Sequence, residues 1–210
     1  MKGEGLEPIL HPASRPKGAQ VPIALHDAVD VEELGAAAFL KIEPTNGGAE
    51  YLGALFLINA RGEPLEFAYN RVELPDTFLW RRTDLRRHAE RKLAASLLTV
   101  CARDPRLLLC LADEVGSELF CQDLQLAIPV GRIGEPLRAT AYAGQETREV
   151  LEEPQPLHLF WFPGPPAEGS MERRLFDQLS THGLLLEPFE RAATGLMEVY
   201  SAEAADAPKR

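Results

Sequence analysis

The charged residues with the most distinctive spacing lie between Arg81 and Glu114. Arg82/Arg86 and Arg87/Arg91 are four residues apart, which places each pair on one flank of a helix. This pattern predicts either a site for an anion, a phosphate or an acidic partner, or a solvated helix face neutralised by nearby acids. The full basic cluster has six members: Arg81, Arg82, Arg86, Arg87, Arg91 and Lys92.

Two carboxylates, Asp113 and Glu114, directly follow the apolar run RLLLCLA at 106–112. A short apolar run between turn signals is typical of a buried strand. Acids at the end of a strand often cap the next turn, and Glu114 is interpreted in that way. Asp113 is the better candidate for a functional carboxylate, although an ion pair with Arg86 or Arg87 would give it a structural role.

Composition and missing motifs exclude several classes of function. The net charge of −10 argues against wholesale nucleic-acid binding, which needs a positive field. The five histidines show no HxH or HExxH spacing, and the sequence contains no P-loop, GxGxxG or GxSxG motif. A zinc site, a nucleotide-binding module and an α/β-hydrolase therefore have no local support.

Three cysteines form no CxxC pair, and an odd number is a poor disulfide framework. We therefore expect a reduced, cytoplasmic setting, with Cys110 packed as a small apolar residue. The first residues lack the apolar core of a signal peptide, and no apolar run approaches the ~20 residues that span a bilayer. No membrane partner is expected.

The first half of the chain predicts three strands, a helix and a fourth strand. The turn at 59–62 joins two of the strands as a hairpin, with Gly62 supplying a positive φ. Thr83 or Asp84 is predicted to cap the helix. The predicted strands are 36–43, 51–58, 64–72 and 106–112, and the predicted helix is 83–103.

The second half is less regular. A short helix running into a strand is predicted within 118–133, and the seven prolines from Pro129 to Pro166 predict irregular structure with at most short edge strands. The segment 158–162 is predicted as a last strand, followed by a helix at 171–183 capped by Ser170 and a helical segment at 187–200. As domains, we expect a flexible arm at 1–20, one α/β domain at 21–200 and a frayed end at 201–210.

This order of elements resembles the ribonuclease H-like superfamily over 36–114 and 158–185. It predicts an α/β fold with a mixed sheet in the order β-β-β-α-β … β-α, plus a C-terminal helix. The resemblance implies acids that converge on two divalent ions, Mg²⁺ or Mn²⁺, which hydrolyse a phosphodiester. By position these acids are Glu43 on the first strand, Glu90 on the first helix, Asp113 after the following strand, and Glu172 or Asp177 on the last helix.

The spacing of Glu90 relative to apolar residues later in the same helix turns its carboxylate toward the sheet, where it must be paired or metal-bound. The sequence also departs from the family pattern. The family usually has Asp where Glu43 stands, and Pro44-Thr45 follows in place of Gly or Ser.

The leading hypothesis is therefore a non-catalytic ribonuclease H-like domain that needs no cofactor. It would serve as a subunit or adaptor that binds other protein subunits in a larger cytosolic assembly. Its predicted contact surfaces are 119–166 and the C-terminal helices. The alternative is a divalent-metal nuclease using the four acids, with nucleic acid reached only through the 81–92 basic cluster. A small-ligand module ranks below both.

Overall fold

The fold is built on one mixed β-sheet in which the long apolar runs become buried strands. The structure is a computed structural model that describes residues 23–24, 34–74, 79–134, 144–152 and 156–206, so the predicted arm at 1–20 lies outside the described residues. The strands are β1 (Ile23–Ala24), β2 (Ala37–Thr45), β3 (Glu50–Ile58), β4 (Pro64–Glu73), β5 (Leu107–Leu111), β6 (Val130–Gly134), β7 (Thr147–Leu151) and β8 (Leu157–Phe162).

The α-helices of the described residues are α1 (Arg82–Val100), α2 (Met171–Thr181) and α3 (Glu187–Asp206), and a π-helical turn spans Leu119–Asp123. The strand order is β1-β4-β3-β2-β5-β6-β8-β7. This confirms the predicted α/β class with a mixed sheet. None of the described helices is long and apolar enough to cross a membrane.

Strands β2, β5 and β6 lie at the centre of the sheet and run parallel, while the other neighbouring strands pair antiparallel. The register pairs Leu40 of β2 with Cys110 of β5, and Cys110 with Arg132 of β6. The carboxyl ends of parallel strands reach the same edge of a sheet, so the residues that follow β2 and β5 meet there.

Strands β2 and β5 carry apolar side chains on both sides. Both faces of the sheet must therefore be shielded from water, and helices cover each of them. Ala38, Leu40 and Ile42 pack on the face covered by α1. Phe39 points to the opposite face, where its ring lies 5.2 Å from Phe189 of α3 in an edge-to-face contact. A strand buried on both faces reads as the continuous apolar run seen in the sequence.

The hairpin prediction is confirmed in its turn as well as in its strands. Gly62 adopts φ +81°, and the Asn59 side chain accepts hydrogen bonds from the backbone amides of Arg61 and Glu63. Ser170 also caps α2 as predicted, since its Oγ accepts from the Arg173 amide at 3.1 Å.

Three predictions of local structure are wrong. The residue at the N-cap position of α1 is Arg81, which makes no side-chain capping bond, so neither Thr83 nor Asp84 has that role. Asp84 lies inside the first turn, where its charge complements the helix dipole.

The second error concerns the 129–166 segment, which is not confined to edge strands, because β6 is interior. Prolines flank β6 rather than interrupt it, and Val130 and Ile133 are buried.

The third error concerns the end of the last helix, because α3 continues through 201–206 instead of stopping at 200; the predicted fraying of 201–210 stays a prediction. The sequence SAEAAD is rich in alanine, the residue with the strongest helix preference. Residues 207–210 lie outside the described residues.

The close packing of β5, β6 and β8 predicts that Gly131→Ala destabilises the protein. An added Cβ would lie 2.9 Å from both Leu109 Cδ2 and Trp161 Cζ3, and both of those residues are fully buried. Overpacking of this kind costs about 1–3 kcal/mol in the free energy of unfolding, measurable by urea denaturation. Gly164→Ala is the matched control, because nothing lies within 4 Å of its added Cβ. Equal stability of the two variants would contradict the packing described.

Candidate functional site

A cleft of about 600 Å³ opens at the sheet edge where the parallel strands end. Its wall is the first half of α1, its floor includes Arg132 of β6, and the segment that follows β5 closes it. The lining residues with charged side chains are Asp84, Arg86, Arg87, Glu90, Asp113, Glu118 and Arg132.

Glu90 is buried in the wall of this cleft, with 3% of its surface exposed. Arg86 Nε donates to its Oε1 at 2.5 Å, and the backbone amide of Gly116 donates to its Oε2 at 3.0 Å. Arg86 also donates from Nη2 to the carbonyl oxygen of Asp113 at 2.8 Å. The cost of burying the Glu90 carboxylate is therefore met by groups of the protein itself.

A second cluster of charges lies where β2 meets the segment after β5. Lys41 donates to Glu114, and its Nζ lies 3.8 Å from Oε2 of Glu43. The amide of Ile42 also donates to Glu114, at 3.3 Å. Burial raises the pKa of Glu114, and the contacts with Lys41 and Ile42 lower it by less. Glu114 thus ties β2 to the chain after β5, and is more than a turn cap.

The acids proposed from the sequence are not assembled as one group. Glu90 and Asp113 line the cleft, whereas Glu43 belongs to the Lys41 cluster. Glu172 pairs with Arg106 at 3.7 Å and lines a proline-rich hollow elsewhere, and Asp177 pairs with Arg173 within α2. In the described part of the chain, no three His, Cys, Asp or Glu side chains are placed to hold a metal ion.

The side chains as arranged therefore do not fit a pair of divalent ions. Glu90 accepts hydrogen bonds from Arg86 and the Gly116 amide instead, and Glu43 lies 3.8 Å from the ammonium of Lys41. The role of Glu43, Glu90, Asp113 and Glu172 as catalytic or metal-binding residues stays a prediction.

Sequence reasoning missed Arg132, which is 3% exposed in the floor of the cleft. Its Nε and Nη2 donate to the two carboxylate oxygens of Glu146 at 2.7 and 2.9 Å. Its Nη1 donates to the carbonyl oxygen of Val115 at 3.1 Å, and its guanidinium lies over the ring of Phe160. The sequence does contain an indication of this residue. Arg132 stands within a short apolar segment, and a buried arginine needs an acidic or hydrogen-bonding partner.

The basic cluster divides into two parts. Arg86 is paired with Glu90, and Arg87 makes a bidentate pair with Asp123 at 2.6 and 2.8 Å that lowers the pKa of this aspartate. The other members are exposed and lie within ion-pair distance of no acid in the described segments. They are Arg81, Arg82, Arg91 and Lys92.

None of the cysteines is placed for nucleophilic chemistry. Cys110 is fully buried, and burial raises its pKa. Burial likewise raises the pKa of Cys101 and of Cys121 to about 11. Thiols with such values are almost wholly protonated at neutral pH, so the interpretation of Cys110 as a packing residue holds.

Comparison with solved structures finds proteins whose fold is similar to that of this chain. The chain is similar to an endonuclease V from Bacillus subtilis, with a TM-score of 0.50 and 12% sequence identity over 88% of both chains. An endonuclease V from Streptomyces avermitilis has a TM-score of 0.48 and 12% identity, covering 81% of this chain and 83% of the other. Argonaute from Marinitoga piezophila has a TM-score of 0.34 and 8% identity, over 71% of this chain and 26% of that one.

No protein-family model matches the sequence, and no curated protein sequence is significantly similar to it. The likeness to the Bacillus subtilis structure shows the fold alone. It agrees with the α/β class and mixed sheet predicted from the sequence, over nearly the whole of both chains.

The buried Arg132–Glu146 pair predicts that Arg132→Met is strongly destabilising. The variant leaves the Glu146 side chain, 2% exposed, with an uncompensated charge, which costs about 3–5 kcal/mol. Arg173→Met is the matched control, because its partner Glu149 is 23% exposed and about 1 kcal/mol or less is expected. Chemical denaturation measures both, and similar losses in the two variants would show that the Arg132 pair is not a buried one.

Proposed function

We propose that this chain is a ribonuclease H-like domain that binds single-stranded nucleic acid along the first half of α1. The observation that supports this most directly is the exposed part of the basic cluster beside the cleft. Arg81, Arg82, Arg91 and Lys92 extend from one end of α1 and meet no acid of the described segments within ion-pair distance. A phosphate backbone is a ligand that suits exposed cations grouped on the first half of one helix.

The overall charge of −10 is compatible with this proposal because the field that a ligand meets is local. Acids in the wall and floor of the cleft would repel a phosphate if they were bare. Glu90 is instead bonded to Arg86, and Glu146 to Arg132. Asp84, Asp113 and Glu118 are the other acids that line the cleft, and the four exposed cations lie outside that lining.

An exposed aromatic ring favours a single strand over a duplex as the ligand. Trp80 immediately precedes the cluster and is 48% exposed, with its ring 5.9 Å from that of His88. Bases stack on exposed aromatic side chains, and this contact is available only in an unpaired strand. Trp161, which would have marked a protein interface had it been exposed, is fully buried.

Binding is measured by fluorescence anisotropy with a labelled single-stranded oligonucleotide in EDTA. Arg81→Gln/Arg82→Gln/Arg91→Gln is expected to weaken binding at least tenfold and to flatten its salt dependence, because each lost phosphate contact reduces the slope. Arg61→Gln/Arg103→Gln/Arg174→Gln is the control, since it removes the same charge from exposed positions elsewhere. If both triple variants lost affinity for the oligonucleotide to the same degree, the loss would come from the net charge of the protein, and the proposal would be contradicted.

The two tryptophans provide a second readout. Trp80 is exposed and Trp161 is buried, so an oligonucleotide that stacks on the patch quenches only the Trp80 component of the fluorescence. Trp80→Ala removes this quenching and weakens single-strand binding, with no comparable effect on a duplex.

Phosphodiester hydrolysis is the second candidate function. It is favoured by the likeness to the Bacillus subtilis endonuclease V over 88% of both chains, and by the presence of Glu90 and Asp113 in one cleft. Hydrolysis that uses Glu90 would require Arg86 to leave it, because Arg86 is bonded to that carboxylate.

Incubation of labelled DNA and RNA with the protein in Mg²⁺ or Mn²⁺ decides between binding and hydrolysis. If the chain is a nuclease, Asp113→Asn and Glu90→Gln abolish metal-dependent cleavage, whereas Glu172→Gln, outside the cleft, retains it. We expect no cleavage by the wild type. Purification with a stoichiometric protein partner, and without oligonucleotide binding, would favour the adaptor hypothesis instead.

A further inference from the structure

We infer that Lys41 and Arg86 act as built-in cations that replace divalent ions at the edge of the sheet, so that the site is independent of metal. This inference goes beyond ligand binding at the basic cluster. It concerns whether the buried carboxylates are neutralised by basic side chains or by metal ions.

The two cations connect the elements whose carboxylates face this edge. Lys41 contacts Glu43, which lies on its own strand β2, and Glu114, which follows β5. Arg86 contacts Glu90 on α1 and the carbonyl oxygen of Asp113, which follows β5. Each cation thus bridges two oxygen ligands from different parts of the edge, as a divalent ion held by carboxylates does.

Burial makes these contacts obligatory. The side chains of Lys41 and Glu114 are 13% and 14% exposed, and that of Glu90 is 3% exposed. A carboxylate so far from water needs a positive partner or several N–H donors. Among the described residues, Glu114 has one such donor besides Lys41, the amide of Ile42, and Glu90 has one besides Arg86, the amide of Gly116.

Geometry also opposes the entry of a metal ion while the cations are in place. A divalent ion at Glu114 would lie beside the ammonium of Lys41, and one at Glu90 beside the guanidinium of Arg86. At such separations two positive charges repel strongly in a site that is screened from water. The two kinds of cation therefore exclude each other.

The experiment compares thermal unfolding and Mn²⁺ binding in the folded wild type and in variants. The wild type is expected to keep its Tm within about 1 °C in EDTA and in 10 mM Mg²⁺ or Mn²⁺, and to leave the electron paramagnetic resonance signal of free Mn²⁺ unchanged. Lys41→Met frees Glu43 and Glu114. It is expected to lower the Tm and to recover about 3 °C in Mn²⁺ at tenfold excess over the dissociation constant.

Two further variants show whether any recovery comes from this site. Lys41→Arg keeps a cation and is expected to stay insensitive to Mn²⁺. Lys41→Met/Glu114→Gln lacks one of the two freed carboxylates and is expected to lose the recovery. For the second cation, the recovery of the Tm in Mn²⁺ is compared between Arg86→Met and Arg86→Met/Glu90→Gln. Only the first of these variants is expected to show it.

The inference is overturned if the wild type binds Mn²⁺ and Glu114→Gln or Glu90→Gln removes that binding. It is also overturned if Lys41→Met is folded yet insensitive to Mn²⁺. Should Lys41→Met not fold, Lys41→Gln and the wild-type titration decide the matter in the same way. Because oligonucleotide binding is measured in EDTA, failure of this inference and failure of the proposed function are seen in separate experiments.

Discussion

The parallel pairing of β5 with both β2 and β6 is the constraint on which the candidate site depends. It brings the ends of three central strands to one edge, and the chain that follows β5 must turn there. Side chains from distant parts of the sequence, Lys41 and Arg132 among them, consequently meet the same short segment around Asp113 and Val115. The cleft, the ion pairs and the basic face of α1 are all arranged around that turn.

Charge at this edge is balanced inside the protein. A carboxylate and a cation withdrawn from water cost more to bury singly than as a pair, so each of the acids Glu90, Glu114 and Glu146 lies against a basic side chain. Arg132 holds the turn after β5 by its contact with Val115, and Lys41 holds the same turn to β2.

Much of this architecture was predictable because its signals are local. The hairpin from β3 to β4, helix α1, strand β5 and the Ser170 cap each follow from periodicity, turn residues or a capping side chain within a few positions. The interior position of β6 was not predictable in the same way. A helix running into a strand was predicted within 118–133, but only the pairing of β6 with β5 and β8 makes that strand a central one.

The candidate site shows the same division. The basic cluster could be recognised from spacing, and Glu90 from the apolar side of its helix, but the partner of each acid is set by tertiary packing. Lys41 stands in a strand that reads as apolar, and nothing near it in the sequence indicates that its ammonium meets Glu114. The resemblance to ribonuclease H-like enzymes directed attention to acids alone, whereas the structure gives equal weight to the cations between them.

A fold shared with nucleases therefore does not carry their chemistry by itself, because chemistry depends on a few side chains at the edge of the sheet. Hydrolysis by divalent ions needs carboxylate oxygens that are free to bind the ions, and here Lys41 is bonded to Glu114 and Arg86 to Glu90. Recognition of a phosphate backbone needs only exposed positive charge, which Arg81, Arg82, Arg91 and Lys92 retain on the first half of α1. Glu90, by contrast, is buried on the side of the same helix that faces the sheet. The binding proposed for the exposed cations therefore does not depend on whether the acid at position 90 is available to a metal ion.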